Sequence, residues 1–242
     1  MKYFPKIVFS DFDGTLTEQG KFSPVFFDVL KIIQQNKSEL VIVTGRPLSW
    51  AHFLLTHFDI NCVITEGGGM LSVKKTGTHF FEDIPLIDKK NIANLEESTQ
   101  LLLSQFEGIQ LSEDSACRVT DRAIDLGLLE TINQDAEIEA FLESRKINFS
   151  RSNVHLNFWS GNISKRKSIE HYLKMKDTKQ EDCTFIGDSL NDESAFEFMT
   201  NSVGVANIIE VESIMKFRPK EILRGDDKKE IQGVLHYLRS FS

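Results

Sequence analysis

Cysteine is scarce: Cys62, Cys117 and Cys183 are the only three in 242 residues, and they stand far apart. Three thiols cannot all pair, which argues against a disulfide-stapled secreted scaffold and makes a reducing, cytoplasmic setting the expected one. Positive charge is also in deficit, with 28 Lys and Arg against 36 Asp and Glu and a formal net charge of −8. A chain that gathers phosphate backbones needs the opposite balance, so no nucleic-acid partner is expected. No apolar run approaches the ~20 residues of a membrane-spanning helix. Residues 1–5 lead directly into a strand-like run, without the apolar stretch and cleavage site of a signal peptide. No membrane partner is expected either. What remains is an ordinary globular balance, 40% apolar and 26% charged, with no repeat or low-complexity tract. Its length allows one large domain, or a core with a smaller second domain.

Residues 6–10 form a short β-branched run that stops abruptly at Asp11-Phe12-Asp13-Gly14, the pattern of a buried strand entering a turn. Ser23-Pro24 reads as an N-cap and first-turn proline opening a helix with Val25, Phe26, Val29, Leu30 and Ile33 on one face. Two more apolar runs follow: 40–44, closed by Gly45-Arg46-Pro47 and a helix, and 62–65, ending at Glu66 and three glycines. This alternation predicts an α/β fold, a parallel sheet with helices on both faces. The style changes over residues 84–161: a helix is expected over 92–106, then strands at 117–126 and 153–159 bracketing a helix near 135–146. These strands alternate, as an antiparallel sheet with one wet face does. Solid apolar runs return at 183–187 and 202–205, and an amphipathic helix is expected from Asp226. The whole reads as an α/β core interrupted by an α+β insertion.

In open parallel sheets, ligands sit beyond the carboxyl ends of the strands. Those ends carry Asp11 and Asp13, Thr44, Glu66, and Asp188 followed by Asn191 and Asp192. Singly, each acid could merely cap the helix that follows. Together, Asp11, Asp13, Asp188 and Asp192 crowd four like charges into one crevice, which a cation or protonation must relieve. Oxygen ligands without His or Cys favour a hard ion, Mg²⁺ before Ca²⁺ or Zn²⁺. The histidines His52, His57, His79, His171 and His236 lack metal-ligand spacing and read as surface or helix-face residues.

With these residues in view the sequence resembles the haloacid dehalogenase-like phosphohydrolases. Asp11-Phe12-Asp13-Gly14-Thr15 matches their DxDGT signature, Thr44-Gly45-Arg46-Pro47 is similar to the second motif, Lys165 to the third, and Gly187-Asp188-Ser189-Leu190-Asn191-Asp192 to the fourth. Lys167 is the rival for the third-motif lysine. The resemblance implies a Rossmann-like catalytic core over residues 1–83 and 162–242 and a cap over 84–161 of the C2B type (subfamily IIB), as in trehalose- and sucrose-phosphate phosphatases. It further implies that Asp11 attacks phosphorus and forms an aspartyl-phosphate, and that Asp13 serves as acid and then base. Thr44 and Lys165 would stabilise the transferring group. Asp11, Asp188 and the backbone carbonyl of Asp13 would hold Mg²⁺, with Ser189, Asn191 and Asp192 shaping the metal loop.

The resemblance also implies that the cap reads the substrate, a small phosphorylated metabolite expected to be a sugar phosphate. Candidate binding residues are Gly45, Arg46 and Glu66 in the core and Arg118, Asp121, His155 and Asn157 in the cap, with Trp159 available to stack on a ring. Arg118, Thr120 and Arg122 are expected on one strand face and His155, Asn157 and Trp159 on another. Two alternatives stand beside the phosphatase: a phosphomutase of the phosphomannomutase type, which needs several cap arginines as a second phosphate clamp, and a non-catalytic sensor of a phosphorylated ligand. A monomer or a homodimer is compatible with the sequence.

Overall fold

The computed structural model describes residues 3–75, 77, 80–151 and 154–241; Met1, Lys2, His79 and Asn153, which figure in the reading above, lie outside them. An eight-stranded sheet forms the core. Its strands are β1 (Ile7–Ser10), β2 (Glu39–Val43), β3 (Cys62–Thr65), β4 (Met70–Lys74), β5 (Phe81–Pro85), then β9 (Cys183–Gly187), β10 (Ser202–Gly204) and β11 (Glu221–Ile222). They lie in the order β11-β10-β9-β1-β2-β3-β4-β5. The six strands from β11 to β3 are parallel. A hairpin of β4 and β5 adds an antiparallel edge that the sequence reading passed over.

Helices cover both faces. On one side α1 (Val25–Gln35), α2 (Leu48–His57) and α8 (Glu230–Arg239) pack over Val8, Leu40, Ile42, Val63 and Ile186. On the other, α6 (Lys165–Met175) and α7 (Glu193–Phe198) cover Ile7, Phe9, Val41, Val43, Ile64 and Phe185. Consecutive residues of one strand point to opposite faces, and here both faces are buried. That is why these strands are apolar at most positions, with only small polar side chains such as Ser10, Thr65 and Thr184 buried among them.

Between β5 and α6 the chain builds a second layer pair. A sheet of β6 (Asp121–Asp125), β8 (His155–Ser160) and β7 (Ile147–Arg151), antiparallel in the order β6-β8-β7, packs on α3 (Lys89–Gln105), α4 (Leu126–Ile132) and α5 (Asp135–Ser144). Ile124, Leu156, Phe158 and Ile147 meet Leu95, Leu102, Leu129, Ile138 and Leu142 in a separate apolar core. β8 alternates as expected, Leu156 and Phe158 buried between partly exposed His155, Asn157 and Trp159.

Several boundaries differ from the sequence expectation. α1 is capped at Pro24, already helical at φ −55° and ψ −26°, and the Ser23 hydroxyl has no hydrogen-bond partner. The strand expected over 117–126 starts at Asp121, because residues 113–117 coil into a 3₁₀ turn. Its end is displaced too: the Asp125 carboxylate accepts from Gly127 N and opens α4, which stops at left-handed Asn133 (φ 55°). α8 starts at Glu230 rather than Asp226, where residues 226–228 make only a short 3₁₀ turn.

Candidate active site

The carboxyl ends of β1 and β9 meet at the centre of the parallel sheet, and Asp11 N extends that ladder by donating to the Ile186 carbonyl at 2.9 Å. Phe12 is buried against Phe22 and Trp50, anchoring the turn through the ring between the two aspartates. Gly14 then turns back at φ +77°, so tightly that a Cβ there would come within 2.5 Å of an Asp188 carboxylate oxygen. Only glycine fits both the dihedral and the space.

Asp11 is buried, and its Oδ1 accepts from Lys165 Nζ at 2.5 Å. The same ammonium donates to Asp192 Oδ1 at 2.6 Å and to Asn191 Oδ1 at 3.0 Å. Lys165 reaches them as the first residue of α6, its side chain only 3% exposed, whereas Lys167 is exposed. Lys165 is therefore the lysine of the site. Ser164 caps the helix by accepting from Lys167 N. Asp192 Oδ2 in turn accepts from the backbone N–H of Asp188 and Ser189, and the Ser189 hydroxyl donates to Asn191 Oδ1. Asp188 completes the cluster, accepting from Thr15 Oγ1 and Asn207 Nδ2, both at 2.8 Å.

Burial and crowding set the charge state. Burial, reinforced by Asp192 and Asp13, pushes the Asp11 carboxyl up to about 7 even though Lys165 pulls the other way. Asp188 is raised well above the carboxylate range by burial and then by Asp11 and Asp192. Burial works against the Lys165 charge, but Asp11 and Asp192 more than offset it and the ammonium is held charged. Carboxylate oxygens of Asp11, Asp188 and Asp192 all lie within 4.8 Å of one another. Three carboxylates, Asp11 and Asp192 buried and Asp188 partly so, against one ammonium leave excess negative charge, and the donors are all oxygen. The set fits a hard divalent cation.

Asp13 turns elsewhere. Its carboxylate takes a two-pronged contact from Arg46, Nε at 2.9 Å and a terminal nitrogen at 2.6 Å, and the guanidinium lies 4.7 Å from the Trp50 ring centre. Thr44 is buried, its hydroxyl oxygen accepting from Arg46 N at 3.1 Å.

Glu66, at φ 55° and buried, binds the cap to the core. Its carboxylate accepts from Leu48 N, from Val119 N, and from the Thr120 backbone and hydroxyl, the last two at 2.6 Å. Those amide hydrogens are spent on Glu66 rather than on a neighbouring strand, and the Arg118 amide on the Ser115 carbonyl, which is the physical reason no strand forms at 118–120. Arg118, expected on an open strand face with Thr120 and Arg122, is instead buried. It donates to Asp114, to both oxygens of Asp121 and, across the domain boundary, to the Gly45 carbonyl at 3.1 Å. Burial raises Asp121 to about 7 despite Arg118. Arg118 and Asp121 thus face each other, while His155 and Asn157 lie on the side of β8 turned away from the cap's apolar core. Thr15, Asn207, Asp114 and Thr120 were not singled out as site residues from sequence. Thr15 stood inside a motif, but nothing near Asn207 marks it, because its partners are far away in the chain.

Comparison with known proteins agrees with this geometry. A family model described as haloacid dehalogenase-like hydrolase matches residues 8–111 and 87–217. A Streptococcus pyogenes serotype M6 protein, provisionally named a phosphatase, is 22% identical, with 98% of each chain covered. Among solved structures, a Thermoplasma acidophilum protein superimposes with a TM-score of 0.72 at 15% identity, covering 98% of this chain and 99% of that one. The sucrose-phosphatase of Synechocystis sp. PCC6803, solved with sucrose and phosphate, does so with a TM-score of 0.65 at 14% identity over 100% and 98%. The two structural likenesses are likenesses of fold; the family match spans most of the sequence, and the chain belongs to the haloacid dehalogenase-like hydrolases.

Proposed function

We propose that the chain is a Mg²⁺-dependent phosphatase, acting in the cytosol on a small phosphorylated metabolite, a sugar phosphate, through an aspartyl-phosphate on Asp11. The observation that carries this reading is the buried Asp11 carboxylate, hydrogen-bonded to Lys165 at 2.5 Å and grouped with Asp188 and Asp192 at the end of the central strands. One Asp11 oxygen attacks phosphorus in line as the bond to the leaving oxygen breaks, and water then cleaves the acyl phosphate, splitting one hard displacement into two easier ones. Asp13, which must carry a proton before the first step, gives it to the leaving alkoxide and later takes one from the attacking water. Arg46 holds Asp13 until an arriving phosphate competes for the guanidinium. Thr44 donates a hydroxyl hydrogen bond to the phosphoryl group, and Lys165 adds a fixed positive charge beside it. Asp11, Asp188 and the Asp13 carbonyl would hold Mg²⁺, which when bound offsets the charge of the phosphoryl oxygens.

The fold shared with a sucrose-phosphatase supports a sugar leaving group, and His155, Asn157 and Trp159 supply hydrogen bonds and a ring on the cap sheet. A mutase needs spare cap arginines for a second phosphate. Arg118 is occupied by Asp114, Asp121 and Gly45, and Arg122 donates to the carbonyls of Arg118 and Asp121, which favours water as the acceptor. The test is phosphate release from a panel of hexose, pentose and disaccharide phosphates, nucleotides and phosphoglycerates, with Mg²⁺ and with EDTA. Release should require Mg²⁺ and vanish in Asp11→Asn. A cation-binding wild-type chain that releases phosphate from no compound would sink the proposal.

A further inference from the structure

Asp11 and Asp192 share the charge of Lys165, but Asp188 is held by neutral groups, the Thr15 hydroxyl on Oδ1 and the Asn207 amide on Oδ2. We infer that Asn207 is a positioning residue for the metal site, fixing the Asp188 carboxylate toward Asp11 without neutralising it; this rests on the reading of Asp188 as a cation ligand. Asn207 follows β10, outside every motif noted in the sequence, and its amide is fully engaged. Nδ2 donates to Asp188 Oδ2 at 2.8 Å and to the Gly14 carbonyl at 3.1 Å, while Oδ1 accepts from Glu230 N at 2.9 Å.

The network dictates the orientation. Two acceptors face the nitrogen and one donor faces the oxygen, so turning the amide over would break all three bonds. A carboxylate has about four lone-pair directions; Thr15 and Asn207 take one on each oxygen of Asp188 and leave one on each for a cation. A neutral donor suits this role: an ammonium there would cancel the charge that attracts the metal, and an apolar side chain would let the carboxylate rotate. The same amide ties together the turn after β1, the loop after β9 and the start of α8. Glu230, whose N–H it receives, also accepts from Gln19 N.

The test is calorimetric titration of the full chain with Mg²⁺, alongside melting in EDTA and phosphate release at saturating Mg²⁺. Groups that orient metal ligands typically govern affinity about 10–100-fold. Asn207→Ala should weaken Mg²⁺ binding by that order, and Asn207→Asp, which places a second carboxylate against Asp188, should alter it further. Excess Mg²⁺ should recover much of the rate in Asn207→Ala. Thr15→Val, which removes the donor on the other oxygen, should shift affinity in the same direction and serves if the Asn207 variants do not fold. Wild-type affinity in folded Asn207→Ala or, failing that, in Thr15→Val overturns the inference. A wild-type chain that binds no divalent cation instead overturns the reading of the acidic cluster.

Discussion

Asp11 shows how far a side chain departs from its ordinary chemistry when it shares one ammonium with Asp192 and sits beside a third carboxylate, Asp188. An exposed aspartate titrates near ~3.9, whereas burial brings Asp11 to about 7 and raises Asp188 as well. The sign follows from linkage. The metal-free fold holds protons that the unfolded chain has released, so this contribution to stability is complete below about pH 4 and is lost as pH rises through about 7. Melting of the EDTA-treated protein should therefore fall between pH 6 and pH 8, with a shallower fall in Asp11→Asn. A cation competes with those protons, so Mg²⁺ affinity should rise over the same range, by up to about tenfold per pH unit for each proton released. A flat calorimetric profile from pH 6 to pH 8 would contradict the buried cluster. Asp11, Asp188 and Lys165 were legible in the sequence because strand ends and motif spacing mark them. Asn207 was not: its partners Gly14, Asp188 and Glu230 become neighbours only on folding.

Among the elements, the turn at 66–68 (the end of β3) and the first turn of α6 depend on each other. Gly68 adopts φ +110°, and a Cβ on it would fall 2.4 Å from the carbonyl oxygen of Ser164, the cap of the helix that presents Lys165. Backbone cannot yield as a side-chain tip can. Gly68→Ala should therefore cost about 2–4 kcal/mol in a denaturant titration and displace Lys165, lowering turnover. Gly20→Ala is the control: φ is +73° but nothing lies within 4 Å of the added carbon, so only the backbone cost of about 1–2 kcal/mol applies. Equal losses in the two variants would show that the Ser164 contact relaxes freely. The core strands were readable because burial on two faces leaves them mostly apolar, with only small polar side chains such as Ser10 and Thr184 among them. The hairpin of β4 and β5 was not, since β5 is largely exposed and buried Ser72 is satisfied by Asp83. The strand expected at 117–126 forms only from Asp121, for the complementary reason: the Val119 and Thr120 amide hydrogens belong to a carboxylate on another domain.

At the scale of the molecule, that carboxylate decides how firmly cap and core are joined. Glu66 is buried and surrounded by donors, so Glu66→Gln turns an acceptor into an amide facing N–H groups. An unmet buried donor costs about 1–3 kcal/mol. The variant should lose stability of that order, and hydrogen exchange at Val119 and Thr120 should accelerate more than at the strands of either sheet. Unchanged protection at those two amides would mean that other contacts, the Arg118–Gly45 hydrogen bond among them, keep the domains together.

The placing of β1 between β2 and β9 sets a timetable for synthesis. Ile7 is paired on one side with Glu39, which follows soon after it, and on the other with Cys183, which arrives only once the whole cap has been made. At ~5–20 residues per second the wait is on the order of ten to thirty seconds. For that interval the nascent chain carries a half-finished sheet whose future central strand is an exposed edge. The cap, complete with its own apolar core before β9 emerges, is the part free to fold first.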